Sequence, residues 1–196
     1  MSRRKFASSR PPPRPLDLST LNALALAYVG RYATTRARLR DYLARKVAAR
    51  GWEGEGEPPI AAVVERCTEL GYVDDASFAA ARGAALTRRG FGEQRIAAAL
   101  RAVGIDADTA APAREAAREA GLEAALAFAR RKRIGPFGSE SITPDQRRRH
   151  LAALLRAGHA FAVARLVAYA EPGTLTTDEQ NLGSVPFWSS EMPEKW

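Results

Sequence analysis

Three stretches of the chain share one frame. Arg38-Leu39-x3-Leu43, Arg95-Ile96-x3-Leu100-x3-Gly104 and Arg149-His150-x3-Leu154-x3-Gly158 each set an arginine ahead of positions spaced by one helical turn. Arg38 lies 57 residues before Arg95, and Arg95 lies 54 before Arg149. A period near 55 residues suggests tandem three-helix units, each burying an edge against the next. The competing account is chance likeness among helices rich in Ala, Leu and Arg. The chain holds 40 alanines, and alanine is the best helix former. Both accounts therefore predict an all-α protein.

Glycines at 51, 71, 90, 104, 121, 135 and 158 punctuate amphipathic segments. Glycine just past a helix end adopts the left-handed backbone without steric cost. Leu21, Leu24, Ala25, Tyr28 and Tyr32 share one helical face. Ile60, Val63, Val64, Cys67 and Leu70 share another, and so do Ile96, Leu100 and Val103. Asp74-Asp75 and Asp106 are start signals, and Thr143-Pro144-Asp145-Gln146 is a capping box with proline at the first helical position. The pattern predicts nine helices, over 18–33, 35–50, 58–70, 75–89, 92–103, 107–120, 122–133, 144–157 and 160–170, and no convincing strand. Grouped in threes they form units 17–73, 74–121 and 122–171 of a curved, solenoid-like body. Residues 1–16 are expected to be a disordered basic arm. Residues 172–196 are expected to be a tail, acidic and aromatic, with Phe187, Trp188 and Trp196.

Charge and rare residues narrow the function. Thirty Lys+Arg against 22 Asp+Glu leave a formal charge of +8, which favours polyanions or acidic protein faces. One cysteine, Cys67, excludes an intramolecular disulfide framework and a Cys-based zinc site. His150 and His159 alone do not make a metal cluster, and no metal or cofactor is expected. No run of about 18 apolar residues is present, and no apolar stretch follows the basic N-terminus as a secretory signal requires. A cytoplasmic monomer without membrane contact is the default.

No catalytic constellation is visible: there is no GxSxG, Walker A loop, GxGxxG or HExxH. Adjacent Asp74 and Asp75 point apart at a helix start and read as a cap and a first-turn acid. Cys67 sits in an apolar stripe and reads as a buried, inert thiol.

The basic clusters are more informative. Arg36, Arg38, Arg40, Arg45 and Lys46 decorate the second predicted helix. Arg88 and Arg89 close the fourth. Arg130, Arg131, Lys132 and Arg133 close the seventh, and Arg147, Arg148 and Arg149 open the eighth. Cations at a helix C-terminus answer the helix dipole, which accounts for 88–89 and 130–133 but not for 147–149. Stacked units would align Arg38, Arg95 and Arg149 as a basic stripe for phosphate backbones or an acidic protein groove. The alternative is a basic helical DNA-binding module or transcriptional regulator. Against it, the adenine-reading residues Asn and Gln number only five, at 22, 94, 146, 180 and 181.

Order and spacing then match a family. Leu70-Gly71-Tyr72-Val73-Asp74-Asp75-x2-Phe78-Ala79, followed by Gly90-Phe91-Gly92 and the Arg95-to-Gly104 frame, resembles the signature of the RecX family. Thr35-x2-Arg38-Leu39-x3-Leu43 resembles its first Arg/Leu helix, and Gly158-His159-Ala160-Phe161 resembles its third-repeat turn. The likeness spans about 18–170. It implies a non-catalytic regulator that binds the filament of the RecA recombinase on single-stranded DNA. It further implies restraint of the filament's ATPase, strand-exchange and coprotease activities, in recombinational repair and the SOS response. By this likeness Gly71, Tyr72, Asp74, Asp75, Phe78, Ala79 and Gly104 are structural signature residues. The basic side chains are expected to meet the recombinase, with single-stranded DNA as a further contact.

Overall fold

The computed structural model describes residues 14–138 and 142–172. Residues 1–13 of the arm expected over 1–16, and 173–196 of the tail expected over 172–196, lie outside the described residues. The described residues form nine α-helices and no strand: α1 Leu18–Val29, α2 Arg36–Arg50, α3 Ile60–Glu69, α4 Asp75–Arg88, α5 Glu93–Arg101, α6 Ala107–Glu119, α7 Gly121–Lys132, α8 Pro144–Arg156 and α9 Phe161–Tyr169. A 3₁₀ turn, Gly135–Phe137, follows α7. The all-α expectation holds, with most boundaries within two residues. α1 stops four residues before its predicted end, at Val29, with Gly30 still in helical conformation as its C-cap.

Helix starts follow the expected chemistry. Asp17, Asp74 and Asp106 each accept the N–H three residues on, from Thr20, Ser77 and Thr109, at 2.7–2.9 Å. Thr143 and Gln146 close the predicted capping box. Helix ends also repeat one device. Tyr72, Phe91, Ile105, Ile134 and His159 donate their N–H to the carbonyl five residues back, at 2.9–3.2 Å, which is the Schellman closure. The left-handed residue inside it is Gly71, Gly90, Gly104 or Gly158 in four cases and Arg133, with φ of 53°, in the fifth. Gly121 closes nothing; it is the first residue of α7.

The chain divides into two units. The first comprises the described part of Met1–Arg82 together with Ala99–Pro112. Its core joins Leu21, Ala25, Leu39, Leu43, Val63, Val64, Cys67 and Val73. Leu39 and Leu43 are fully buried, each contributing about 2–3 kcal/mol of apolar burial. Leu16 belongs to this core too and is fully buried. It was expected in the disordered arm, yet its N–H donates to the Gly51 carbonyl and its carbonyl accepts from Glu53, both at 2.9 Å. Leu70 departs from its predicted stripe and is 47% exposed, because α3 ends at Glu69 and the chain turns at Gly71.

The second unit comprises Gly83–Ala98 with the described part of Ala113–Trp196. Its core joins Ala125, Leu126, Phe128 and Ala129 of α7 to Leu154, Ala157, Ala164, Val167 and Ala168.

Candidate partner-binding surface

The shared Arg/Leu/Gly frame is a docking frame. In the first unit, Thr35 begins α2, and its hydroxyl donates to the Val103 carbonyl at 2.6 Å while accepting the Arg38 N–H at 3.2 Å. Gly104 sits beside it with φ of +79°, and a Cβ there would collide with Ala37. In the second unit, the start of α5 meets the turn after α8. The Gly92 N–H donates to the Ala157 carbonyl at 3.0 Å, and the Gln94 N–H donates to Gly158 at 3.1 Å. Gly158 has φ of +90°, and a Cβ there would strike the Arg95 backbone. The start of one frame helix therefore receives the glycine turn that ends the next. At the frame positions Leu39, Ile96 and Leu154 are buried, and Arg38, Arg95 and Arg149 are exposed.

The remaining cations of α2 differ in their surroundings. The Arg36 backbone N–H donates to Asp75 Oδ1 at 2.9 Å, and its guanidinium pairs with Glu65. Both members of that pair are about half exposed, so it adds little to stability. Arg45 is exposed, and Lys46 Nζ lies 5.4 Å from the centre of the Tyr42 ring.

In the second unit the cations rest on aromatic rings. Arg89 lies over Phe91 at 5.5 Å, Arg130 over Phe137 at 4.9 Å and Arg131 over Phe128 at 5.5 Å. Arg131 also donates to the Arg89 carbonyl, which brings the end of α7 against the end of α4. A cation placed over a ring in this way is attracted by the ring's quadrupole. Arg88, Lys132 and Arg133 are exposed.

The triplet at α8 splits three ways. Arg147 turns inward, donating to the Tyr169 carbonyl at 3.1 Å and to Glu171 Oε1 at 2.6 Å, with its side chain only 24% exposed. Arg148 pairs with Asp145. Arg149 is exposed. The sequence marks all three alike, but Arg147 has a structural task between α8 and α9.

Asp74 and Asp75 serve two different helices. Asp74 caps α4, and its hydrogen bonds with the Ser77 hydroxyl and N–H hold its carboxyl below the usual range. Asp75 reaches α2 instead. Ala79 is buried, Phe78 half-buried, and Tyr72 is 53% exposed. Burial raises the Cys67 thiol, consistent with an inert packing role. His159 is buried, its Nε2 facing the Gly90 carbonyl at 3.2 Å, and Nδ1 has no partner. Burial lowers its pKa against the opposing pull of that carbonyl. His150 Nδ1 accepts the Gly135 N–H at 3.4 Å, and burial lowers its pKa as well. Among the described residues no group of three His, Cys, Asp or Glu side chains is placed to hold a metal ion, and no helix is long and apolar enough to cross a membrane.

Tyr28, Tyr32 and Tyr42 converge with Ala27 and Arg31 around an open cleft of about 510 Å³. The sequence places Tyr28 and Tyr32 in an apolar stripe, and aromatic residues at helical spacing do not announce which ring faces stay open.

Comparison with known proteins places the chain. No family model matches it. It is 35% identical over 168 residues to a Regulatory protein RecX of Myxococcus xanthus, covering 82% of this chain and 90% of that one. It is 36% identical over 172 residues to a protein of the same description from Mycobacterium ulcerans, covering 83% and 92%. The fold matches the crystal structure of RecX from Lactobacillus salivarius with a TM-score of 0.58 at 20% identity, over 76% of this chain and 92% of that one. A second RecX crystal structure matches at a TM-score of 0.55 and 17% identity, over 76% and 72%. With more than four-fifths of its length aligned to such relatives, and with the nine-helix order in place, the chain belongs to the RecX family of regulatory proteins.

Proposed function

We propose that this chain is a non-catalytic regulator that binds the RecA recombinase filament on single-stranded DNA and restrains its ATPase, strand-exchange and coprotease activities. The observation that carries the reading is the repeated docking frame. Its positions Leu39, Ile96 and Leu154 are buried while Arg38, Arg95 and Arg149 are exposed. The same frame supports an organisation in three-helix units over 17–73, 74–121 and 122–171. Exposed arginines and the ring-stacked Arg89, Arg130 and Arg131 suit acidic protein faces and phosphates, which they meet by charge and without base readout. The protein acts as a cytoplasmic monomer that bridges neighbouring recombinase subunits and opposes the motions accompanying ATP turnover.

The test is the single-stranded-DNA-dependent ATPase of the cognate recombinase, titrated with this protein at substoichiometric amounts. Inhibition that persists under excess DNA supports filament regulation. Inhibition abolished by extra DNA would reduce the protein to a general nucleic-acid binder.

A further inference from the structure

The tyrosine cleft lies in the first unit, where α1 meets α2. Tyr28 and Tyr42 stack at 4.3 Å with planes 18° apart, and Tyr32 tilts against Tyr28 at 5.3 Å and 52°. The inner two rings pack on the core of that unit. Tyr32 stands outside them and is 53% exposed. The platform is therefore fixed from below and open above.

Its rim is basic. Arg31 lines the cleft, and Lys46 lies over Tyr42. On α2, residues 38, 45 and 46 stand four before, three after and four after Tyr42. Arg38, Arg45 and Lys46 thus share the face of the helix that carries the ring. An apolar ligand would find no use for four cations, and a free anion would find none for three rings. A ligand with flat π-faces strung on a phosphate backbone uses both.

We infer that the cleft formed by Tyr28, Tyr32 and Tyr42 is a stacking site for an unpaired nucleobase of single-stranded DNA, with Arg31, Arg38, Arg45 and Lys46 meeting the flanking phosphates. Stacking on Tyr32 needs no hydrogen-bond readout, so the site takes any base. The inference deepens the proposed function, whose filament already contains single-stranded DNA. It gives the regulator a foothold on bases that the recombinase leaves uncovered, such as those at a filament end.

The test uses the full chain and two labelled strands of equal length, an oligothymidylate and an abasic strand, read by fluorescence anisotropy at low salt. The phosphates are the same, so any preference reports the bases. Wild type is expected to bind the thymidylate at least about fivefold tighter. Tyr32→Ala should erase that preference, and Tyr32→Phe should keep it. Because Tyr32 is exposed, neither change threatens the fold. Equal affinity of wild type for both strands overturns the inference, as does a preference that survives Tyr32→Ala. If Tyr32→Ala keeps the DNA preference but weakens binding to DNA-free recombinase, the cleft belongs to a protein contact instead. The ATPase assay, run alongside, separates the two readings: inhibition intact with no base preference sinks this inference alone.

Discussion

The Asp75 carboxylate caps a helix to which it does not belong. Its Oδ1 accepts the backbone N–H of Arg36 at 2.9 Å, across 39 residues of chain, and so fastens the start of α2 to the start of α4. Its neighbour Asp74 caps α4 itself. Two adjacent acids that look redundant in the sequence thus satisfy the free amides of two separate helices.

Asp75→Ala removes a tertiary cap and is expected to cost about 1 kcal/mol of unfolding free energy. Urea denaturation followed by circular dichroism measures it. Asp75→Asn should recover part of the loss, since the amide oxygen still accepts. An unchanged midpoint in Asp75→Ala would show that this hydrogen bond contributes nothing in solution.

The glycine turns give a graded series. Gly71 has φ of +73° with open space where a Cβ would go, whereas Gly104 and Gly158 combine positive φ with a collision. Gly71→Ala should cost about 1–2 kcal/mol from backbone strain alone. Gly104→Ala and Gly158→Ala add overpacking and should cost about 2–5 kcal/mol. Equal losses at all three positions would deny the docking frame its energetic weight.

Arg133 occupies the left-handed position that glycine fills at four other helix ends. Relief of roughly 1–2 kcal/mol of strain, less roughly 0.5–1 kcal/mol of extra chain entropy, predicts that Arg133→Gly stabilises the protein by about 0.5–1 kcal/mol. The same variant loses a cation. A more stable protein that restrains the recombinase less would indicate that Arg133 is retained for binding.

The two histidines set an acid limit. Both have pKa values depressed from 6.5 by burial. The unfolded chain takes up protons near pH 6.5, and the folded chain resists until lower pH. The unfolded state therefore binds more protons in that window, and stability falls as the pH drops below about 6.5. Thermal midpoints at about pH 7.5 and about pH 5 should differ, and His159→Gln with His150→Gln should flatten the difference. A slope unaltered in the double variant would assign it elsewhere.

The arginine triplet should separate by function. Arg149→Glu is expected to weaken filament binding without moving the unfolding midpoint, since Arg149 is exposed. Arg147→Glu should lower the midpoint, because it breaks the hold on Tyr169 and Glu171. Equal destabilisation by both would contradict their different placements.

Helices were legible because alanine richness, caps and glycine ends all operate within a few residues of chain. The Thr143 box and the Asp74 and Asp106 caps are of this local kind. What the sequence concealed is tertiary. The period relating Arg38 to Arg95 signals equivalence, but it does not say that the start of α2 receives Val103-Gly104, or that α5 receives Ala157-Gly158. The end of α7 was legible to within one residue, but not that Arg133 takes the left-handed position, since no glycine marks it. Tyr28 and Tyr32 share an apolar stripe in the sequence, and only packing decides that Tyr28 and Tyr42 stack while Tyr32 stays open.

The helices α5 and α8 begin differently. α5 completes its first turn by borrowing the Gly158 carbonyl from further along the chain. α8 borrows nothing of the kind: Thr143 and Gln146 exchange hydrogen bonds with each other's backbone. α8 therefore closes its first turn from within its own sequence, whereas α5 closes its own only with Gly158 in place.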